Sequence, residues 1–200
     1  MSMNDKDETV VLLVGTIVKY YNREIPYTEA LQILQPLCKS LEFHDIKALS
    51  EYLAHWHSLS AQLAAELLLE AFQNVAKYDG IVLIQFFLGN IFYGRNKFKE
   101  ATNFYNRALE LLLDSSLGLQ YKDYLTQITY AELGKAYIFL NEAKVALVCL
   151  NKSLEIAKLR KDKLSCAQYY QDMGVAYRKL QQLSKTLEFY LKALEEIKDK

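Results

Sequence analysis

Imidazoles and thiols are the side chains that most readily hold a metal or carry a nucleophilic step, and this chain has few of them. Its histidines are His44, His55 and His57, and its cysteines are Cys38, Cys149 and Cys166. On a helix the side chains of His55 and His57 point about 200° apart, the wrong geometry for one ion. His44 could share a face with His55, but three turns separate them. No HExxH element and no CxxC pair is present, so no metal is expected. The three cysteines are widely spaced, odd in number and set in apolar helical contexts. They read as small buried hydrophobes rather than a disulfide framework or a redox group. Gly80, Gly89 and Gly94 read as turn and helix-crossing glycines, not a phosphate-cradling loop. No Ser-His-Asp or Cys-His arrangement is recognisable, and Trp56 reads as core or interface. These residue types predict a protein that is not an enzyme and carries no cofactor.

Without reactive groups to position, the elements themselves become the object. The 200 residues are 52% hydrophobic and 24% charged, the balance of a folded chain. Seven glycines and two prolines leave little punctuation, which favours long helices over many short strands. The formal net charge is zero, which does not suit a nucleic-acid binder. The start is acidic (Asp5, Asp7 and Glu8 against Lys6), unlike a secretory signal. The apolar run Val10 to Val18 is shorter than the roughly 20 residues that span a bilayer. A cytoplasmic chain with neither membrane nor nucleic acid as partner is the expectation.

Ten helices in five hairpins are predicted. In the second half they cover 80–94 with 97–113, 120–140 with 142–159, and 163–180 with 183–198. Apolar residues recur in steps of three and four, as in Ala143, Ala146, Leu147, Leu150, Leu154 and Ala157. Gly94 is expected to take a left-handed helix end, and Asn96 and Asn141 to cap the helices that follow. Arg160, Lys161 and Lys163 suit a solvated turn at a helix carboxyl end. In the front half helices are expected at 7–22, 27–43, 45–57 and 59–77. Pro26 fits a first turn, and Pro36 should kink or split its helix. The last helix carries apolar outer positions such as Phe189 and Leu191. It is expected either to pack on something else or to lead into more chain.

The stretch Leu133-Gly134-Lys135-Ala136-Tyr137 lies nine residues before Ala146 and has two relatives. They are Leu88-Gly89-Asn90-Ile91-Phe92, before Ala101, and Met173-Gly174-Val175-Ala176-Tyr177, before Thr186. A lone helical hairpin cannot bury its apolar face, so repeated hairpins must stack. Small residues belong where two helices cross closely, and aromatics where they fill space toward the next hairpin. Thr186 and Ser153 should be tolerated there as small residues, at some cost in packing.

This pattern resembles the tetratricopeptide repeat (TPR). The copies match at Leu88, Gly89, Phe92, Ala101, Tyr105 and Ala108; at Tyr130, Leu133, Gly134, Tyr137 and Ala146; and at Tyr170, Met173, Gly174, Tyr177, Tyr190 and Ala193. Glycine spacings of 45 (89 to 134) and 40 (134 to 174) exceed the common 34. They look like the long-repeat subclass of Leu-Gly-Asn-rich G-protein-signalling modulators, kinesin light chains and bacterial Rap-type regulators. The resemblance implies an all-α fold, a right-handed α-α superhelix of stacked TPR-like hairpins. Three repeats would occupy 80–118, 119–162 and 163–200. A degenerate hairpin would occupy 45–79, and a helical amino-terminal region or cap 1–44.

The resemblance also implies a site. In such proteins the first helix of each hairpin lines a concave face that holds an extended peptide or a helix. The matching residues are Leu83, Phe86, Asn90 and Tyr93; Ile128, Ala131, Lys135 and Ile138; and Gln168, Gln171, Val175 and Arg178. Asn90 could bond a peptide backbone, and Lys135 with Arg178 would favour an acidic peptide. The carboxylate clamp of some tetratricopeptide proteins is not expected, because Phe86, Glu132, Gln168 and Asp172 stand where Lys, Asn or Arg would be needed. The expected function is a non-catalytic scaffold or adaptor for a protein or peptide partner. Its rivals are a peptide-responsive regulator of Rap-like organisation and a structural subunit of a larger complex.

Overall fold

A computed structural model describes residues 3–54 and 58–198. The readings of His55, Trp56 and His57 fall outside these residues. The described chain is all-α, with ten α-helices and one short 3-10 turn. In order they are α1 (Met3–Tyr21), α2 (Tyr27–Ser40), α3 (Phe43–Ala54), α4 (Ser58–Asn74), α5 (Tyr78–Gly94), α6 (Phe98–Leu113), α7 (Lys122–Phe139), α8 (Ala143–Leu159), α9 (Lys163–Lys179) and α10 (Leu183–Lys198). None is long and apolar enough to cross a membrane among the described residues. Of the expected kink or split at Pro36, the split does not occur: α2 runs through Pro36.

The helix ends differ from expectation in an informative way. Gly94 closes α5, and the left-handed residue is Asn96, at φ 60°. Neither Asn96 nor Asn141 caps the next helix; the cap positions are Lys97 and Glu142, without a side-chain cap bond. Instead one turn recurs. A residue at positive φ (Asn96, Asn141, Lys161, Gln181) is followed by an amide that reaches back five residues. Lys97 N–H donates to Phe92 O at 2.9 Å, Glu142 to Tyr137 at 2.9 Å, Asp162 to Ala157 at 2.9 Å and Gln182 to Tyr177 at 3.0 Å. This is the Schellman closure, usually written with glycine. Ala76 and Arg23 make it in the front half too.

The chain divides into two compact units, with the boundary inside α5. The first runs to Ile91 and takes in Leu117–Gln120. In it α4 packs on α1, α2 and α3, burying Leu13, Ile17, Leu34, Ile46, Leu49, Leu68 and Phe72. Gly80 lies in the first turn of α5 with no room for a Cβ against the Phe72 ring. The Tyr27 hydroxyl donates to the Glu70 carboxylate. Cys38 is wholly buried, which pushes its thiol up to about 12, the signature of a packing residue.

The second unit holds Phe92–Ser116 and Tyr121–Lys200. Each of its helices from α6 to α10 packs on the next, and α7 also touches α9. Its core includes Ala146, Leu150, Leu154, Tyr169, Tyr170 and Met173. Gly134 sits where α7 crosses α8: a Cβ there would come within 2.8 Å of Leu150 Cγ and 3.3 Å of the Ala146 carbonyl oxygen. Gly174 repeats the arrangement between α9 and α10, where a Cβ would strike the Tyr190 ring. Ser153 is not merely small. It is fully buried, and its hydroxyl donates to the Gln127 carbonyl at 2.8 Å. Thr186 likewise donates to the Gln182 carbonyl at 3.1 Å.

Eight residues join α6 to α7 but only three join α8 to α9. That five-residue difference accounts for the two glycine spacings. Asp114 stabilises the longer connection, accepting from the Ser116 N–H at 2.8 Å and hydroxyl at 2.7 Å.

Candidate partner-binding cleft

Alternate helices of the second unit, α7 and α9, share one face, because each is the first member of a hairpin. Between them lies a cleft of about 380 Å³, lined by Ile128, Ala131, Glu132 and Lys135 from α7 and by Leu164, Ser165, Gln168, Tyr169 and Asp172 from α9. The register is helical: 128 lies three or four residues from 131 and 132, and these from 135; 164 and 165 lie four and three from 168, and 168 four from 172. The floor is held by buried polar contacts. Gln127 donates through Nε2 to the Tyr169 hydroxyl at 3.2 Å. Asp162 caps α9, accepting from Ser165 N–H at 3.1 Å and from its hydroxyl at 2.7 Å.

The electrostatics centre on two carboxylates and one ammonium. Lys135 Nζ donates to Glu132 on its own helix. Asp172 accepts from Gln168 Nε2 through Oδ1 at 3.3 Å, while its buried Oδ2 has no hydrogen-bond partner among the described residues. Burial pushes the Asp172 carboxyl up to about 6; Lys135 and Gln168 draw it back and Glu132 raises it further. Tyr93 is pushed up to about 12, by burial first and then by the negative charge of Glu132 and Asp172. The same carboxylates are therefore felt from the end of α5.

Four of the sequence-predicted residues meet in this cleft: Ile128, Ala131, Lys135 and Gln168. Gln171 lines a neighbouring apolar groove with Leu164, Tyr190, Leu194 and Ile197. Tyr93 is half-buried, edge-on to Phe98 and Phe139 at 5.4 and 5.7 Å. Val175 is half-buried and Arg178 exposed, and neither lines the cleft. Ile138 is 5% exposed and belongs to the core. Leu83, also 5% exposed, Phe86 and Asn90 lie in the first unit, Asn90 exposed and Phe86 half-buried. Glu132, Leu164, Ser165, Tyr169 and Asp172 are cleft residues that the site expectation left out. Glu132 and Asp172 had a signal: they are the acidic residues that spoke against a carboxylate clamp.

A tetratricopeptide-repeat family model matches residues 129–158 and 167–199, the α7–α8 and α9–α10 hairpins. Those two hairpins match the tetratricopeptide repeat. Heat shock protein STI1 of Saccharomyces cerevisiae is 35% identical over 109 residues, 54% of this chain but only 16% of that protein. Among solved structures, TPR-like repeats of a Podosopora anserina kinesin light chain share 15% identity, cover 98% of this chain and 97% of their own, and superpose with a TM-score of 0.63. MamA shares 18% identity over 95% of this chain and 92% of its own, with a TM-score of 0.58. At these identities the structural likenesses speak to fold, which is that of TPR-like helical-repeat proteins.

Proposed function

We propose that the second unit is a non-catalytic adaptor that receives a peptide or helix of a partner protein along α7 and α9. The observation that carries this reading is the α7–α9 cleft. It is a concavity with apolar walls and a few converging polar groups, among them an unsatisfied buried carboxylate oxygen. Helices fixed by their own hairpins offer a preformed surface, which lowers the ordering cost of binding. For the first unit by itself, Phe86 and Asn90 are proposed partner contacts on the same repeat pattern. Capture from the native cell extract with the full chain tests this, with Ile128→Ala/Gln168→Ala as control. We expect at least one partner to be retained by the wild type and lost by a double variant with unchanged circular dichroism. Equal capture by both would remove the site.

A second reading, a structural subunit of an assembly, is favoured by one feature. Leu183, Leu187, Leu191, Leu194 and Ile197 of α10 are 47–72% exposed, whereas Ala143, Leu154 and Ala157, at matching positions of α8 in the 40-residue register, are buried. Sedimentation of the wild type and of Leu187→Glu/Leu194→Glu tests it; a monomer at every concentration for both would argue against self-assembly through α10.

A further inference from the structure

The polarity of the α7–α9 cleft is opposite to what Lys135 and Arg178 suggest from sequence. Its lining carries two carboxylates, Glu132 and Asp172, and one ammonium, Lys135. That ammonium is already engaged by Glu132, three residues away on the same helix, and Arg178 is not part of the lining. Asp172 is left with an oxygen that is buried and accepts no hydrogen bond from the described residues. A buried acceptor without a donor is costly, and a charged donor satisfies a carboxylate best. Around it Ile128, Ala131 and Leu164 form apolar wall, which suits a methylene stem carrying a charge at its tip. Ser165 and Gln168, at the rim, add acceptor oxygens for the remaining N–H groups.

We propose that this cleft takes the lysine or arginine side chain of a partner segment, so that the surface selects basic rather than acidic peptides. The inference rests on the reading of α7 and α9 as the docking surface, and it specifies the chemistry of the segment that docks. Specificity would come from the unmatched carboxylate: a neutral or acidic residue at that point leaves Asp172 unpaired or adds a like charge beside it.

The test uses the full chain, isotope-labelled, titrated with three blocked pentapeptides that differ only at the centre: Ala-Leu-Arg-Leu-Ala, the same with norleucine, and the same with aspartate. Amide shifts report where each binds. We expect the arginine peptide to move resonances of 128–135 and 164–172, with an affinity at least about tenfold above the norleucine peptide. Asp172→Asn should abolish that preference, bringing the arginine affinity down to that of the norleucine peptide. Lys135→Ala, at a half-exposed position, should raise arginine affinity several-fold, a gain that a damaged fold could not produce. If the norleucine or aspartate peptide binds at the same resonances as tightly as the arginine peptide, the cationic inference is overturned and the docking surface stands. If none of the three moves a resonance in α7 or α9, both fall.

Discussion

Gly134 and Gly174 occupy equivalent crossings, yet they should respond differently to a methyl group. At 134 the added Cβ meets Leu150 and, behind it, a backbone carbonyl of Ala146. At 174 its nearest neighbours are atoms of the Tyr190 ring, and Tyr190 is half-buried on α10, where it can swing. We expect Gly134→Ala to cost about 2 kcal/mol and Gly174→Ala about half of that, by urea denaturation. Asp172 gives a prediction with a sign. Its folded pKa, about 6, lies above the ordinary 3.8, so between those values the folded chain holds a proton that the unfolded chain has released. Stability tied to that proton is full below about pH 4 and is lost as pH rises through 6. Asp172→Asn should therefore stabilise the chain at pH 7.5 by about 1 kcal/mol, allowing for the carboxyl's partial exposure. The gain should vanish near pH 4 in melts run across that range. Lys135 and Gln168 lower this carboxyl's pKa and Glu132 raises it, so Lys135→Ala should widen the gap at pH 7.5.

At the scale of helices and turns, the sequence is most legible where period alone decides. The apolar steps along α5 to α10 place all six helices to within two residues of the structure. The hairpin closures are less legible, because their left-handed residue carries a side chain. Lys161 and Gln181 have no propensity for φ near 60°, whereas glycine takes it freely. Gln181→Gly and Lys161→Gly should each stabilise by about 0.5–1 kcal/mol, visible as a rise in melting temperature. Asn96→Gly should do less, since Asn tolerates that conformation. Ser153 and Gln127 were hidden for another reason. Their bond runs from α8 to the α7 backbone, and no local pattern reports a tertiary partner. Ser153→Ala would leave the buried Gln127 carbonyl without that donor and should cost about 1 kcal/mol.

At the scale of the whole molecule, the repeat motif names the first helix of each hairpin, α5, α7 and α9, as the expected site-lining helices. It could not report which side chains on those helices are spent on each other. Lys135 reads as a free positive charge in sequence and is instead bound to Glu132; Asp172 reads only as an acid that speaks against a carboxylate clamp, and it places a buried oxygen in the cleft. Charge sign in a groove depends on such pairings, which arise three residues apart on one helix and across two helices at once. The division of the chain inside α5 is similarly invisible in a motif that runs through it. Docking of a partner along α7 and α9 is best checked by hydrogen–deuterium exchange on the full chain with and without a captured partner. Slowed exchange in 128–135 and 164–172 is the expected result. Protection confined to other segments, with these two exchanging as in the free chain, would contradict it.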